Sequence, residues 1–154
     1  MSEKLATVAR LFELQLEQAR VARAAAEEAA DRQREKARQI QSRIDEAHGL
    51  ARDQMRGERG VSADELRRSS VYARWQLHVL AEQEQRVKHA EEKAEQALAE
   101  VTRRFQALSA IEDLRARRAE YAALEAARTE QKKLDDHALV RAGARRWPLT
   151  QLVS

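Results

Sequence analysis

Leu66, Ala73, Leu80, Val87, Ala94, Val101 and Leu108 stand seven residues apart without a polar interruption. Such a series is one position of a heptad, and it predicts a helix with one edge laid against a partner helix. The companion positions are mixed, with Gln76 and Gln83 polar and Ala90, Ala97 and Ile111 apolar. The helical pattern runs to about Ala142, where Gly143 supplies a C-terminal stop. Earlier in the chain a second stripe follows Leu5, Val8, Phe12, Ala19, Ala22, Ala26 and Ala29, then Ala37, Ile40, Ile44, Ala47 and Ala51. Between Ala29 and Ala37 it makes two successive steps of four, a stutter that predicts local unwinding of a supercoil. Gly49 lies inside this helix and weakens it near its end.

One internal stretch breaks the pattern. Arg56-Gly57-Glu58-Arg59-Gly60-Val61 sets two glycines close together, where helix propensity collapses. Ser62-Ala63-Asp64-Glu65-Leu66 follows at once and has the form of a capping box, with Val61 and Leu66 placed as a hydrophobic staple. The prediction is an all-α fold, an elongated antiparallel two-helix coiled-coil hairpin with unequal arms. Helix 1 covers about 2–55, the turn 56–62 and helix 2 about 63–142, so that 1–142 forms a single hairpin. With the turn centred between Arg59 and Gly60, facing residue numbers add to about 119, and Leu5 lies opposite Leu114. The strict heptad fails next at Arg115, so the seam ends where its partner ends. Arg115 to Ala142, roughly 40 Å of helix, is left without an intrachain partner, although it carries Tyr121, Leu124, Leu134, Ala138 and Leu139. The tail 143–154, with Trp147-Pro148, is expected to be disordered.

Composition agrees with a long thin helical protein. Charged residues make up 36% and aromatics 4%, and there is one proline, so the core is a narrow seam rather than a globular interior. The net charge is +3, with much of the basic excess at Arg141, Arg145 and Arg146. Elsewhere the signs alternate, as in Glu28–Arg32, Glu82–Arg86, Glu84–Lys88 and Glu100–Arg104, which suits exposed helix and not a nucleic-acid footprint. No cysteine is present, which excludes disulfides and thiolate metal sites, and no apolar run reaches the length of a membrane span.

Candidate chemistry is sparse. His48, His78, His89 and His137 are scattered without ligand spacing, no phosphate-binding glycine loop can be formed, and the carboxylates lie on solvated faces. No metal, cofactor or small-molecule substrate is expected, and the chain is not expected to be an enzyme. Tyr72 and Trp75 share a helix face just past the turn, where they either plug the hairpin tip or anchor a partner. Arg145-Arg146-Trp147 either binds an acidic surface or belongs to a solvated tail.

The run Glu130-Gln131-Lys132-Lys133-Leu134-Asp135-Asp136, followed by Ala138 and Arg141, resembles the end of the long second helix in the flagellar export family FliJ. Leu108-Ser109-Ala110-Ile111-Glu112-Asp113-Leu114-Arg115-Ala116-Arg117 is similar to the Leu/Arg-rich stretch upstream of it in that family. His137 departs from the aromatic or aliphatic residue of many members, and the stretch from Gly143 onward has no counterpart in the resemblance. The resemblance implies a non-catalytic stalk and adaptor of the bacterial flagellar type III protein export apparatus, a motility system. Its implied partners are a hexameric export ATPase, a membrane export gate protein and export chaperones. The implied location is the cytoplasm, peripheral at the cytoplasmic face of the inner membrane and held there through partners. Carried onto this chain, Leu124, Gln131, Lys132, Lys133, Leu134, Asp135 and Asp136, together with Leu5–Phe12, would face the ATPase ring. Tyr72 and Trp75 would face the gate or the chaperones. The equivalent stalk of a virulence injectisome and a generic coiled-coil scaffold are the alternative readings. A membrane-surface helix is disfavoured, because an alanine stripe buries little area.

Overall fold

The computed structural model describes residues 2–57 and 60–146. Among these residues the fold is an all-α helical hairpin of α1, Ser2–Arg56, and α2, Ala63–Arg146, with arms of 55 and 84 residues. Glu58 and Arg59 lie outside the described residues, and with them part of the expected turn centre. What is described of the connection follows from its sequence. The Gly57 N–H donates to the Gln54 carbonyl at 3.3 Å and closes α1. Gly60 takes φ +60°, a left-handed conformation in which a side chain would be strained. The capping box then starts α2: the Glu65 N–H donates to Ser62 Oγ at 3.2 Å and the Ser62 N–H donates to Glu65 Oε2 at 3.3 Å. Leu66, named for the staple, remains 42% exposed.

The chain divides into two compact units, residues 11–106 and residues 1–10 with 107–154. In the first, α1 withdraws Phe12, Leu16, Ala19, Arg23, Ala26, Ala30, Gln33, Ala37, Ile40, Ile44, Ala47 and Ala51 from solvent. The steps between these residues alternate between four and three, with Gln15 and Gly49 partly withdrawn beside them, so the expected stutter is absent. The sequence pattern placed Ala22 and Ala29 on the seam; both are exposed, and the buried alanine is Ala30, at 1%. The cause is alanine itself. Between Ala22 and Ala30 it occurs on several helix faces, so apolarity does not mark the seam, which instead passes through Arg23. Arg23 is tolerated there because its Nε reaches out to Glu27 at 2.9 Å. A strict 3.5-residue period keeps such a seam facing its partner by left-handed winding.

On α2 the same unit withdraws Ala73, Leu80, Val87, Ala94 and Val101 together with the companions Gln76, Gln83, Ala90, Ala97 and Arg104. The two glutamines are buried, at 6% and 4% exposure. Gln83 Nε2 crosses the seam and donates to both the backbone carbonyl and Oε1 of Gln33, at 3.0 and 2.8 Å. Arg104 NH1 donates to Gln15 Oε1 at 2.8 Å, a pair in the expected register. Arg34 Nε donates to Glu91 Oε1 at 2.8 Å, and that bond holds the guanidinium above its ordinary pKa. Of the ion pairs expected within one helix, Glu28–Arg32 and Glu100–Arg104 form at 3.3 and 2.8 Å, whereas Glu82 lies 3.2 Å from His78 Nε2.

In the second unit Ala9, at 2% exposure, and Leu108, at 9%, are buried, whereas Val8, expected on the stripe, is 36% exposed. Leu5 lines a groove with Arg115, Ala116, Ala119 and Ala122, while its expected partner Leu114 is 39% exposed. Every residue from Glu112 to Arg146 is exposed, about 50 Å of helix. Helix persists there because the sequence consists mostly of Ala, Glu, Arg, Leu, Gln and Lys, the strong helix formers. The expected stop at Gly143 is passed: α2 continues to Arg146, so 143–146 is helix and not tail. Gly143 costs about 1 kcal/mol in a helix, which the good formers around it absorb, and Arg145 and Arg146 complement the negative end of the helix dipole. Residues 147–154, with the rest of the expected tail, lie outside the described residues.

The corrected seam has a direct check. Ala30→Leu should cost about 1–3 kcal/mol, because a closely packed alanine contact has no room for three more carbons. Ala29→Leu, one residue away and exposed, should change stability by less than about 0.5 kcal/mol. Urea unfolding followed by circular dichroism at 222 nm separates the two, and equal effects would return the seam to the alanine read from the sequence.

Candidate functional site

Two surfaces carry the residues singled out from the sequence. The first is the exposed helix around Leu124 and Gln131–Asp136. Its local order comes from contacts within α2: Arg128 NH1 lies 3.2 Å from Glu125 Oε1, Thr129 Oγ1 donates to the Glu125 carbonyl at 2.9 Å, and Gln131 Nε2 donates to Asp135 Oδ1 at 3.0 Å. Leu124 and Leu134 stand 56% and 62% exposed. At 3.6 residues per turn, Leu124, Gln131 and Asp135 fall on one side of the helix. Lys132 and Asp136 fall on a second side, Lys133 roughly opposite the first, and Leu134 on a fourth. The motif is thus a band around the helix and not a patch on one side of it. Further along, Leu134, Ala138 and Ala142 form a shallow apolar strip bordered by His137, Arg141, Arg145 and Arg146.

The second surface lies in the unit of residues 11–106. The rings of Tyr72 and Trp75 sit 6.2 Å apart at 39°. Tyr72 also lines a crevice with Ile44, Ala47 and His48 of α1, and its hydroxyl accepts from Gln76 Nε2 at 2.8 Å. Trp75, 57% exposed, shares an apolar groove with Val71, Tyr72, Arg67 and Arg68. Of the two aromatics, only Tyr72 also lines the crevice beside the seam, and it is itself 46% exposed. The indole is open to solvent.

The sequence pattern missed other exposed apolar positions. Phe105 and Leu98, seven residues apart on α2, are 56% and 44% exposed, and Leu11, Leu14 and Val21 of α1 are 53%, 63% and 69% exposed. Their positions off the heptad were the available signal. Among the described residues no group of three or more His, Asp or Glu side chains could hold a metal ion, and no helix is long and apolar enough to cross a membrane.

The chain matches the family model described as Flagellar FliJ protein over residues 1–146. Comparison with curated proteins and with solved structures returned no match.

The exposed band is separable from the folded seam by mutation. Leu124→Glu and Leu134→Glu should each leave the urea midpoint of the free protein within about 0.5 kcal/mol of the parent. Leu16→Glu, at a position 4% exposed, should lower stability by about 2 kcal/mol or more, because it forces a carboxylate into the seam. A Leu124 or Leu134 variant that melts as early as the Leu16 variant would mean that the band is already covered in the free protein.

Proposed function

The chain belongs to the FliJ family, components of the flagellar type III export machinery, and from that premise we propose that its exposed α2 arm is a stalk held inside a ring-shaped export ATPase. The observation that carries this reading is the band. Six consecutive residues, Gln131 to Asp136, point to every side of one helix, and all are exposed. A flat partner can contact about half of such a band, whereas a partner that encloses the helix contacts all of it. Enclosure also supplies what the arm lacks, a surface to cover Tyr121, Leu124, Leu134, Leu139 and Val140, which are 56–71% exposed. The mixture of Lys132, Lys133, Asp135 and Asp136 within it suits a ring whose inner wall presents both signs of charge.

The Tyr72–Trp75 face serves the second class of partner in this reading, the membrane export gate protein or the export chaperones. An exposed indole beside Val71, flanked by Arg67 and Arg68, has the composition of an interface anchor. The chain acts without catalysis of its own, in the cytoplasm and at the cytoplasmic face of the inner membrane, where its partners hold it. The flagellar description of the matching family favours this system over the injectisome.

The test uses the full chain and the purified flagellar export ATPase. A complex should form at micromolar concentration, promote hexamer assembly and raise ATP turnover, while this chain alone hydrolyses nothing. A Leu124→Glu/Leu134→Glu variant should bind at least tenfold more weakly, about 1.4 kcal/mol, with unchanged helix content. Failure to form any complex with an active ATPase would leave the generic scaffold as the better reading.

A further inference from the structure

The stretch of α2 just past the capping box differs in charge from most of the chain. Between Glu65 and Glu82 it carries Arg67, Arg68 and Arg74 and no acidic residue. The nearest carboxylates are engaged otherwise. Glu65 Oε2 accepts from the Ser62 N–H at 3.3 Å, and Glu82 lies 3.2 Å from His78 Nε2. Asp64 stands in the first turn of α2, where it complements the positive end of the helix dipole. Among the described residues none of the three guanidinium groups takes part in an ion pair, although Arg20, Arg23, Arg32, Arg34 and Arg38 of α1 all do.

These arginines border an apolar floor. Val71 stands four residues after Arg67 and three after Arg68, so it falls between them around the helix, about 40° from one and about 60° from the other. Trp75 continues the row one turn on, and Arg74 lies on the side of Arg67. Arg67, Arg68, Val71, Tyr72 and Trp75 line one groove, in which Val71 and Trp75 remain 66% and 57% exposed. An aliphatic side chain laid in it would meet valine and indole. Carboxylates three or four residues to either side of that side chain would meet guanidinium groups, which bond carboxylates through paired N–H donors. A membrane surface fits less well, because one valine and one indole offer little apolar area and stable attachment takes a larger basic cluster. A nucleic-acid strand would follow a longer basic track.

We propose that the Arg67–Trp75 face is a docking groove for an acidic protein segment. An aliphatic side chain of the partner sits on Val71 and Trp75, and its carboxylates are held by Arg67, Arg68 and Arg74. This chemistry refines the reading of the face as a partner surface, on which it rests. Exposed charge pairs are screened by salt, so the contact weakens as ionic strength rises.

Trp147→Phe leaves Trp75 as the one tryptophan of the full chain, so its emission reports the groove. The probe is a short synthetic peptide of two leucines set among glutamates. Adding it should shift the Trp75 emission to the blue, with an affinity that falls about tenfold between low salt and roughly 0.3 M. Arg67→Gln/Arg68→Gln should weaken binding by about tenfold or more, and a peptide with glutamine in place of glutamate should not bind. Circular dichroism at 222 nm confirms that helix content is retained. Equal binding of the glutamine peptide, an arginine variant that binds like the parent, or a blue shift with phosphatidylglycerol vesicles and none with the peptide would overturn the proposal. Calorimetric titration with the purified export gate protein or a chaperone separates the acidic chemistry from the reading beneath it. Binding that Trp75→Ala abolishes and Arg67→Gln/Arg68→Gln leaves unchanged would remove the acidic partner and keep the partner surface.

Discussion

The facing helices have very little apolar side chain to bury, and the character of the hairpin follows from that shortage. A buried methyl group contributes about 0.8 kcal/mol, against up to about 3 kcal/mol for a leucine. Along the middle of the hairpin the seam is alanine on both sides, at Ala19, Ala26 and Ala30 of α1 and Ala90, Ala94 and Ala97 of α2. Small side chains let helix axes approach toward the lower end of the usual 8–10 Å. Close approach brings backbone within reach of side-chain amides, and Gln83 uses it to bond the Gln33 carbonyl. Adhesion comes from the alanines and the few larger residues, Leu16 and Ile44 above all. Specificity comes from hydrogen bonds that an apolar core would not need.

This division of labour explains what was legible in the sequence. The hairpin was legible because its signals are local: two glycines, a capping box with both reciprocal bonds formed, and a heptad on α2 that includes Leu80, Val87 and Val101. The exposed arm was legible because the heptad becomes polar at Arg115. The phase of α1 was not legible through its alanine-rich stretch, where the true seam takes in Arg23 and Ala30 and leaves Ala22 and Ala29 outside. A seam traced by apolarity steps around polar members, and that detour produced a stutter that the helix does not contain. The end of α2 was misread for a different reason. A glycine stops a helix when it takes a left-handed conformation, and Gly143, unlike Gly60, does not.

The candidate surfaces were less legible than the fold. Side chains on an outer face leave no mark on the seam pattern, so Leu98, Phe105 and the Leu11–Val21 stripe emerged only with exposure. Tyr72 and Trp75 show why adjacency on one helix face does not fix a role. Their rings lie 6.2 Å apart and tilted, yet only Tyr72 also lines the crevice beside Ile44, and both remain exposed, at 46% and 57%. A tyrosine can occupy a seam margin because its hydroxyl has Gln76 to bond, whereas an indole in that place would need an acceptor for its N–H.

The exposed arm inverts the logic of the hairpin. In residues 11–106 one edge of each helix is apolar and the rest is solvated, so each helix has a single direction in which to find a partner. From Glu112 onward Tyr121, Leu124 and Leu139 fall within about 60° of one another at 3.6 residues per turn, whereas Leu134 and Val140 point elsewhere, with charges of both signs between them. One more helix packed beside it on that side would still leave Leu134 and Val140 facing water. Its apolar groups are covered together only when contact comes from several sides. The charged residues between them keep any single exposed apolar patch small. Strong intrinsic helix formers, with the Arg128–Glu125 pair among them, keep the arm helical without tertiary contacts.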